Sequence, residues 1–224
     1  MKTYFVKPFI ATLLLQSSCS ASQPNIPPSL VKTEFSGIEL SSPWPLKLKG
    51  FEYKTYSNSD IKFKTCRDVL DFDYNKIIPF EQFHFKLLSI SCNALNKHKD
   101  FETSKRSFFK ENITPKDFLQ LPGLSVPYLS KTEYSHRHNK TIKESFQSIN
   151  VSADRNGTKI LTNDDEFYIH ILGRGDFNGD KIEDLLVSSE WYARHARGKH
   201  TDLVILSKTG KNEPVNVIWR LNKL

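Results

Sequence analysis

The stretch with the clearest chemical potential is "GRGDFNGDKIEDLLV", residues 173 to 187. Counting Asp176 as position 1, oxygen side chains fall at positions 1, 3, 5 and 9, as Asp176, Asn178, Asp180 and Asp184, and Ile182 at position 7 can offer its carbonyl. Calcium takes about six to eight oxygen ligands, drawn from carboxylates, amide oxygens and backbone carbonyls on a tightly turning loop. The spacing therefore predicts a Ca2+ loop that leads into a strand and braces it. An EF-hand is excluded, because position 12 is Val187 where an acidic ligand belongs, and "DLLVSSEW" continues as a strand rather than a helix. Two other readings stay open: an Asp/Asn/Gly turn that holds no ion, and a catalytic metal.

Just beyond the loop, "WYARHARGKH" sets Trp191 and Tyr192 beside Arg194, His195, Arg197, Lys199 and His200. Rings and cations so mixed suit stacking on sugars or gripping an anionic polymer. The plain reading is an ordinary strand end and turn; the functional one is contact with an anionic glycan or an envelope protein partner. His136 and His138 alternate as two ligands on one strand face would, but no third ligand follows at a diagnostic spacing, so they read as a solvated basic loop. No G-x-S-x-G elbow, H-E-x-x-H helix or P-loop is present. Asp164, Asp165, Glu166 and Glu190 can supply a carboxylate pair for hydrolysis. A cleft gathering Glu190, His195 or His170 would point to a hydrolase acting on envelope polymers; a flat basic aromatic face would point to a binder.

Residues Gly175 to Val187 resemble the calcium loop of FG-GAP and VCBS-type repeats, which read "GDFNGDG..DL.V" before a strand. The match covers 13 of the 224 residues. The resemblance implies calcium held by Asp176, Asn178, Asp180, the Ile182 carbonyl and Asp184. Lys181 departs from it, standing where the family has glycine. A non-glycine residue at positive φ is penalised, and its ammonium would lie near the ion, which implies weakened affinity. The chain has one such loop and no internal repeat, so the resemblance implies a braced turn and not a propeller. The segment "EWYARHARGKHTDLVIL" is similar to bacterial envelope proteins with a single loop of this kind, which implies no particular activity.

The N-terminus agrees with that address. "MKTYFVKPFIATLLLQSSCSAS" has basic Lys2 and Lys7, an apolar run from Phe9 to Leu15, then small residues around Cys19, the layout of a secretory signal and too short for a membrane span. Ser17-Ser18-Cys19 resembles a bacterial lipobox, with Gln16 where the pattern has an aliphatic residue. It implies lipidation at Cys19 and a membrane partner through the lipid; ordinary cleavage near Ala21 is the alternative. Loss of Lys2 and Lys7 takes the formal charge from +7 to +5, and the basic residues are dispersed, so nucleic acid is not an expected partner. With Cys19 spent, Cys66 and Cys92 form an even pair in an oxidising compartment, which favours a disulfide over a catalytic or metal-binding thiol.

These residues need elements to position them. The chain has length for one ordinary domain, and Phe 16, Tyr 8 and Trp 3 supply bulky core material. Residues 1–19 read as the signal, 20–34 as a Pro-rich flexible tether, and 35–224 as a single domain. "LKLKGFEYKTY" alternates as a strand or hairpin. From about 60 to 121 the periodicity is helical: Asp60 caps a first helix with Phe63, Cys66, Val69 and Leu70, and Pro79 opens a second with Phe80, Phe83, Leu87, Ile90 and Ala94 on one face. "TSKRSFFKEN" and "TPKDFLQL" read as further short helices. From about 140 the period is two, through "SFQSINVSA", "GTKIL", "EFYIHIL", "EDLLVSSEWYA", "TDLVILSK" and "VNVIWRL", each bounded by turn residues. The expected class is α+β, an N-terminal helical segment followed by an antiparallel sheet.

Overall fold

The computed structural model describes residues 25–154 and 157–222. The expected signal at 1–19, its Cys19 and the first part of the tether lie outside them. The rest of the tether is held to the domain, which corrects that expectation. Ile26 and Ser104 exchange backbone hydrogen bonds of 2.8 and 2.9 Å, and β1 (Ser29–Leu30) pairs antiparallel with Arg174 and Gly173. Glycine is required at 173, because a Cβ there would lie 2.9 Å from the Ser29 carbonyl oxygen.

The segment "LKLKGFEYKTY" is divided at Gly50 between two ribbons: β2 (Ile38–Glu39) with β3 (Lys47–Leu48), and β4 (Glu52–Lys54) with β5 (Asp60–Lys62). Asp60 therefore lies in a strand and caps nothing. The helix that follows, α1 (Cys66–Leu70), starts at Thr65, which closes a reciprocal capping box with Asp68: Thr65 N–H donates to Asp68 Oδ2 at 2.9 Å. Two orphan backbone donors satisfied together outweigh one isolated carboxylate as a start signal.

Pro79 does open a helix, α2 (Pro79–His98), which buries Phe83, Phe85, Leu88, Ile90, Cys92, Ala94 and Leu95. Phe80, expected on that face, is 81% exposed. Cys66 and Cys92, both fully buried, form a disulfide that ties α1 to α2 across a Cα–Cα distance of 5.2 Å.

"TSKRSFFKEN" is not a helix. The backbone at its start is committed elsewhere: just before it Glu102 and Asp176 exchange N–H···O bonds of 2.7 and 3.0 Å, Lys105 N–H donates to Lys181 O at 2.8 Å, and Arg106 O accepts from Glu183 N–H at 2.8 Å. Residues 102–106 thus form a strap along the Asp-rich loop. α3 (Pro115–Phe118) is the short helix expected in "TPKDFLQL", started by a capping box between Thr114 and Asp117, and two further helices, α4 (Lys131–Arg137) and α5 (Ile142–Ser145), occupy the stretch before the sheet. His136 lies in α4 with Nε2 3.2 Å from the Ser145 carbonyl and His138 ends that helix, so the two rings do not share a strand face.

The main sheet is antiparallel throughout. Its strands are β6 (Asn150–Asp154), β7 (Gly157–Leu161), β8 (Asp165–Gly175), β9 (Asp184–Ala193), β10 (Lys199–Ser207) and β11 (Asn216–Arg220), in the order β11-β10-β9-β8-β7-β6, with β1 as a seventh strand paired to β8 off this path. Because strand side chains alternate, the strands β8 to β11 feed two cores. Leu186, Leu203 and Ile205 pack with α1, α2 and the N-terminal ribbons, where Tyr53, Phe63, Phe72 and Phe85 form an edge-to-face aromatic group. Phe167, Ile169, Leu185, Val187, Val204 and Leu206 pack on the other face against Phe118, Leu121, Val126 and Ile142. Mixed α and β content around an antiparallel sheet is as expected, but helices cover both faces and the first strands precede the helical part.

Candidate functional site

The Asp-rich loop runs from the end of β8 to the start of β9 with Asp176 and Asp184 fully buried. Backbone amides wrap its side-chain oxygens. Asp176 Oδ1 accepts from Gly179 N–H at 2.7 Å and Oδ2 from Lys181 N–H at 2.8 Å; Asp180 Oδ1 accepts from Ile182 N–H at 2.7 Å, and Asn178 Oδ1 from Asp180 N–H at 2.9 Å. The turn needs positive φ at Gly179 (82°), and at Lys181 (65°) as well. Asp184 Oδ2 accepts from Phe177 N–H at 3.0 Å, whereas its buried Oδ1 has no hydrogen-bond partner. Ser207 stands close enough to favour the Asp184 carboxylate, but neither Ser207 Oγ nor Asp184 Oδ1 has a partner in hydrogen-bond geometry. Burial pushes the Asp184 carboxyl above its ordinary range, and the neighbouring charges of Asp180 and Asp176 push it further.

Lys181 supplies the loop's own positive charge. Its ammonium pairs with Glu102 on the strap and lies 3.8 Å from Asp176 Oδ2. Tested against a calcium ion, the residues fit in part. The five expected ligands share one turn, and Asp184 carries an orphaned, buried oxygen. Among the described residues, however, no three His, Cys, Asp or Glu side chains converge as a metal cage. Asn178 Nδ2 donates to Asp180 Oδ2 at 3.1 Å, so these two exposed side chains answer each other.

A second constellation lies on the face of β8 and β9 beyond the cover of α2. Asp154, Glu166, Tyr168, His170, Glu190 and Tyr192 line a hollow of about 370 Å³. The register makes it a checkerboard: Glu166 stands opposite Tyr192, and Tyr168 opposite Glu190. Each tyrosine hydroxyl donates along its own strand, Tyr168 to Glu166 and Tyr192 to Glu190. The two rings meet edge to face at 5.8 Å, and Phe83 of α2 packs 5.5 Å from Tyr192. Lys159, opposite Tyr168 on β7, binds Glu166 at 2.6 Å; that bond, then the Tyr168 hydroxyl, holds the Glu166 carboxyl below its usual range. Burial, then Glu190, pushes the Tyr192 hydroxyl up, so it stays a proton donor. His170 is 7% exposed, with Nε2 3.5 Å from Asp154 and Nδ1 3.7 Å from Glu34; Nδ1 has no hydrogen-bond partner.

The basic aromatic surface expected at 191–200 is dispersed, because neighbouring strand residues point to opposite faces. Trp191 packs on the α3 side, its indole N–H donating to Asp165 Oδ1 at 2.6 Å, while Tyr192 lies in the hollow. Arg194 caps the Thr162 and Asn163 carbonyls at 2.7 and 3.2 Å, and His195 Nε2 is 3.2 Å from the Asn163 carbonyl. Arg197 is exposed, and His200 is half-buried near Lys86. Of the hydrolase candidates, Glu190 and His170 meet in the hollow and His195 does not. Tyr168 and Asp154 join them without having been singled out from sequence. For Tyr168 the signal was the period-two run of polar residues Glu166, Tyr168, His170 within an otherwise apolar strand; Asp154, on β6, reaches the hollow only through strand pairing.

Compared with protein families, curated proteins and solved structures, the chain matches none.

Proposed function

We propose that the protein is an exported bacterial envelope protein, anchored by a lipid on Cys19, whose α+β domain is braced by one calcium ion in the loop Asp176 to Asp184 and serves binding or assembly. The observation that carries the brace is Asp184: a fully buried carboxylate, one oxygen of which has no donor, close to two further carboxylates. A cation there offsets a charge cost that the backbone N–H groups of Phe177, Gly179 and Lys181 and the Lys181 ammonium beside Asp176 meet only in part. The positive φ of Lys181 supports the same reading, since the family's loop places glycine there. Asp176, Asn178, Asp180, the Ile182 carbonyl and Asp184 would hold the ion, and the exposed Arg194, His195 and Arg197 are the contact offered to an anionic glycan or envelope partner.

A hydrolase reading draws on the meeting of Glu190 and His170. It is less well supported, because glycoside hydrolysis needs a carboxyl held protonated, and Glu166 is held in the opposite direction by Lys159.

The test is thermal melting of the purified protein in calcium against chelator, with Asp180→Ala alongside. An ion that binds only the native state stabilises it by about 2.7 kcal/mol at a hundredfold excess over Kd, or roughly 5 to 10 °C for a domain of this size. Calcium should raise the midpoint in the wild type and not in the variant. A wild type that melts identically in both buffers sinks the brace. For the anchor, labelling with a clickable palmitate should mark the wild type and not Cys19→Ala.

A further inference from the structure

We infer that the groove between α4 and the edge strand β11 is a docking site for an acidic, extended segment of a partner protein, which lies along β11 and meets Lys131 and Lys140. This goes beyond the calcium brace and does not rest on it, and the groove is lined by none of Arg194, His195 and Arg197.

Its place in the sheet comes first. β11 ends the strand order and pairs only with β10 among the described residues, so no strand covers its outer edge. A bare edge presents main-chain donors and acceptors to any extended chain that reaches it. Two adjoining hollows of about 610 and 590 Å³ run beside it, the first along Val217 to Arg220 and the second along Pro214 to Val217. They share Leu124, Tyr134 and Val217, which makes them one groove with β11 as one wall and α4 as the other. At the rise of a strand, the wall from Pro214 to Arg220 spans roughly 20 Å, room for an extended segment of about six residues.

The walls also offer apolar contact. Tyr134 and Ile218 line the groove from opposite sides and are 39% and 40% exposed, among the few large hydrophobic residues left in solvent. Ile218 is the extra residue of a bulge: Ile205 stands opposite Trp219 and Leu206 opposite Val217, which leaves Ile218 without a partner on β10. Bulges re-aim side chains, and this one gives Ile218 to the groove. The Tyr134 ring meets Tyr128 edge to face at 5.3 Å, and the Arg220 guanidinium lies 4.6 Å from the Tyr128 ring. The aromatic wall is thus ordered before a partner arrives, which lowers the cost of binding.

Charge then selects the occupant. Lys131, Arg137, Lys140 and Arg220 line the groove, against Glu144 as its one carboxylate among the described residues. Arg137 is spent on Glu133 and Arg220 on Asp202, whereas Lys131 and Lys140 have no ion pair among the described residues. Glu144 is itself committed, accepting from the N–H and hydroxyl of Thr141 at 2.8 and 2.9 Å. Two ammonium groups, one beside each half of the groove, therefore call for carboxylates on the occupant. The stretch ahead of Asn25 carries Lys2 and Lys7 and no acidic residue, so it does not answer them. A second copy pairing through its own β11 would bring like charges together and set bulge against bulge, both of which oppose strand pairing. An acidic segment of another protein meets the lysines with its side chains and the β11 edge with its main chain.

The experiment is fluorescence anisotropy of a short dye-labelled peptide of alternating Glu and Val, titrated with the full chain at low salt. Peptides of alternating Lys and Val and of alternating Ser and Val are the controls. Saturable binding of the acidic peptide is expected, weakened about tenfold when Lys131→Gln and Lys140→Gln are combined, as loss of two exposed ion pairs produces. Tyr134→Ala should weaken it as well. Amide NMR shifts of the unmutated protein give a readout that no variant can disturb, with changes expected at Lys131, Tyr134, Val217 and Ile218. The inference is overturned if the acidic peptide shows no saturable binding up to about 1 mM. It is equally overturned if the lysine peptide binds as tightly, if the double variant matches wild type, or if the NMR changes lie at Arg194 to Arg197. Sedimentation of the free chain should show a monomer; a dimer that Ile218→Asp dissolves would assign the groove to a second copy and overturn the inference too.

Discussion

Lys181 holds its backbone at φ 65° and its ammonium 3.8 Å from Asp176 Oδ2, while pairing with Glu102 on the strap. One residue thus takes a backbone conformation that favours glycine and lends the loop a tethered positive charge. Lys181→Gly removes both the penalty of about 1 to 2 kcal/mol for a side chain at positive φ and the competing ammonium. If calcium occupies the loop, melting should show a larger calcium-induced rise for this variant than for wild type. In chelator the variant also loses the bridge from Asp176 to Glu102, so its midpoint should gain little. A calcium response no greater than wild type would mean that the ammonium and the ion do not compete.

Asp117 gives a pH dependence with a definite sign. The Lys110 ammonium at 2.6 Å, together with the hydroxyl and N–H of Thr114 at 2.6 and 2.9 Å, holds its carboxyl at about 2 against an ordinary 3.8. A depressed folded-state pKa contributes stability that is present above 3.8 and lost as pH falls through about 2. The pair is largely exposed, so screening limits the effect to below about 1 kcal/mol. Asp117→Asn should therefore flatten the acid limb of the melting curve between those two values and leave its neutral plateau slightly lower. An acid limb unchanged from wild type would remove Asp117 as its source.

The disulfide closes a 26-residue separation between α1 and α2. By loop entropy it contributes roughly 3 to 4 kcal/mol, so Cys66→Ala with Cys92→Ala should melt about 10 °C lower. Reduction of the wild type with dithiothreitol should reproduce the loss. Both sulfurs are fully buried and joined to each other, which leaves neither available as the nucleophile or metal ligand that spacing alone had left open.

The strands were legible because each carries a period-two signal bounded by its own turn residues, and all six C-terminal runs fall where that signal lies. Helix α2 was legible from Pro79 and its apolar stripe, although the exposed Phe80 belongs to neither core. Asp60 misled because a lone cap residue is weaker than the Thr65–Asp68 box five residues later. "TSKRSFFKEN" misled because its local preference is overridden by backbone pairing to residues 176–183, far away in sequence.

The candidate sites divide the same way. Residues 176–184 are contiguous, so their ligand order could be read directly; what the strap contributes through Glu102 could not. The hollow draws on β6, β8 and β9, and its checkerboard exists only once register sets Glu166 beside Tyr192 and Tyr168 beside Glu190. Register also separated Trp191 from Tyr192, since consecutive residues of a strand face opposite ways. Sequence by itself determined the strands, the principal helix, the disulfide partners and the composition of one loop, because each is encoded locally or by elimination. Only the tertiary structure decided which polar side chains share a face, because that depends on pairing between strands, and pairing is settled by the burial of two cores at once.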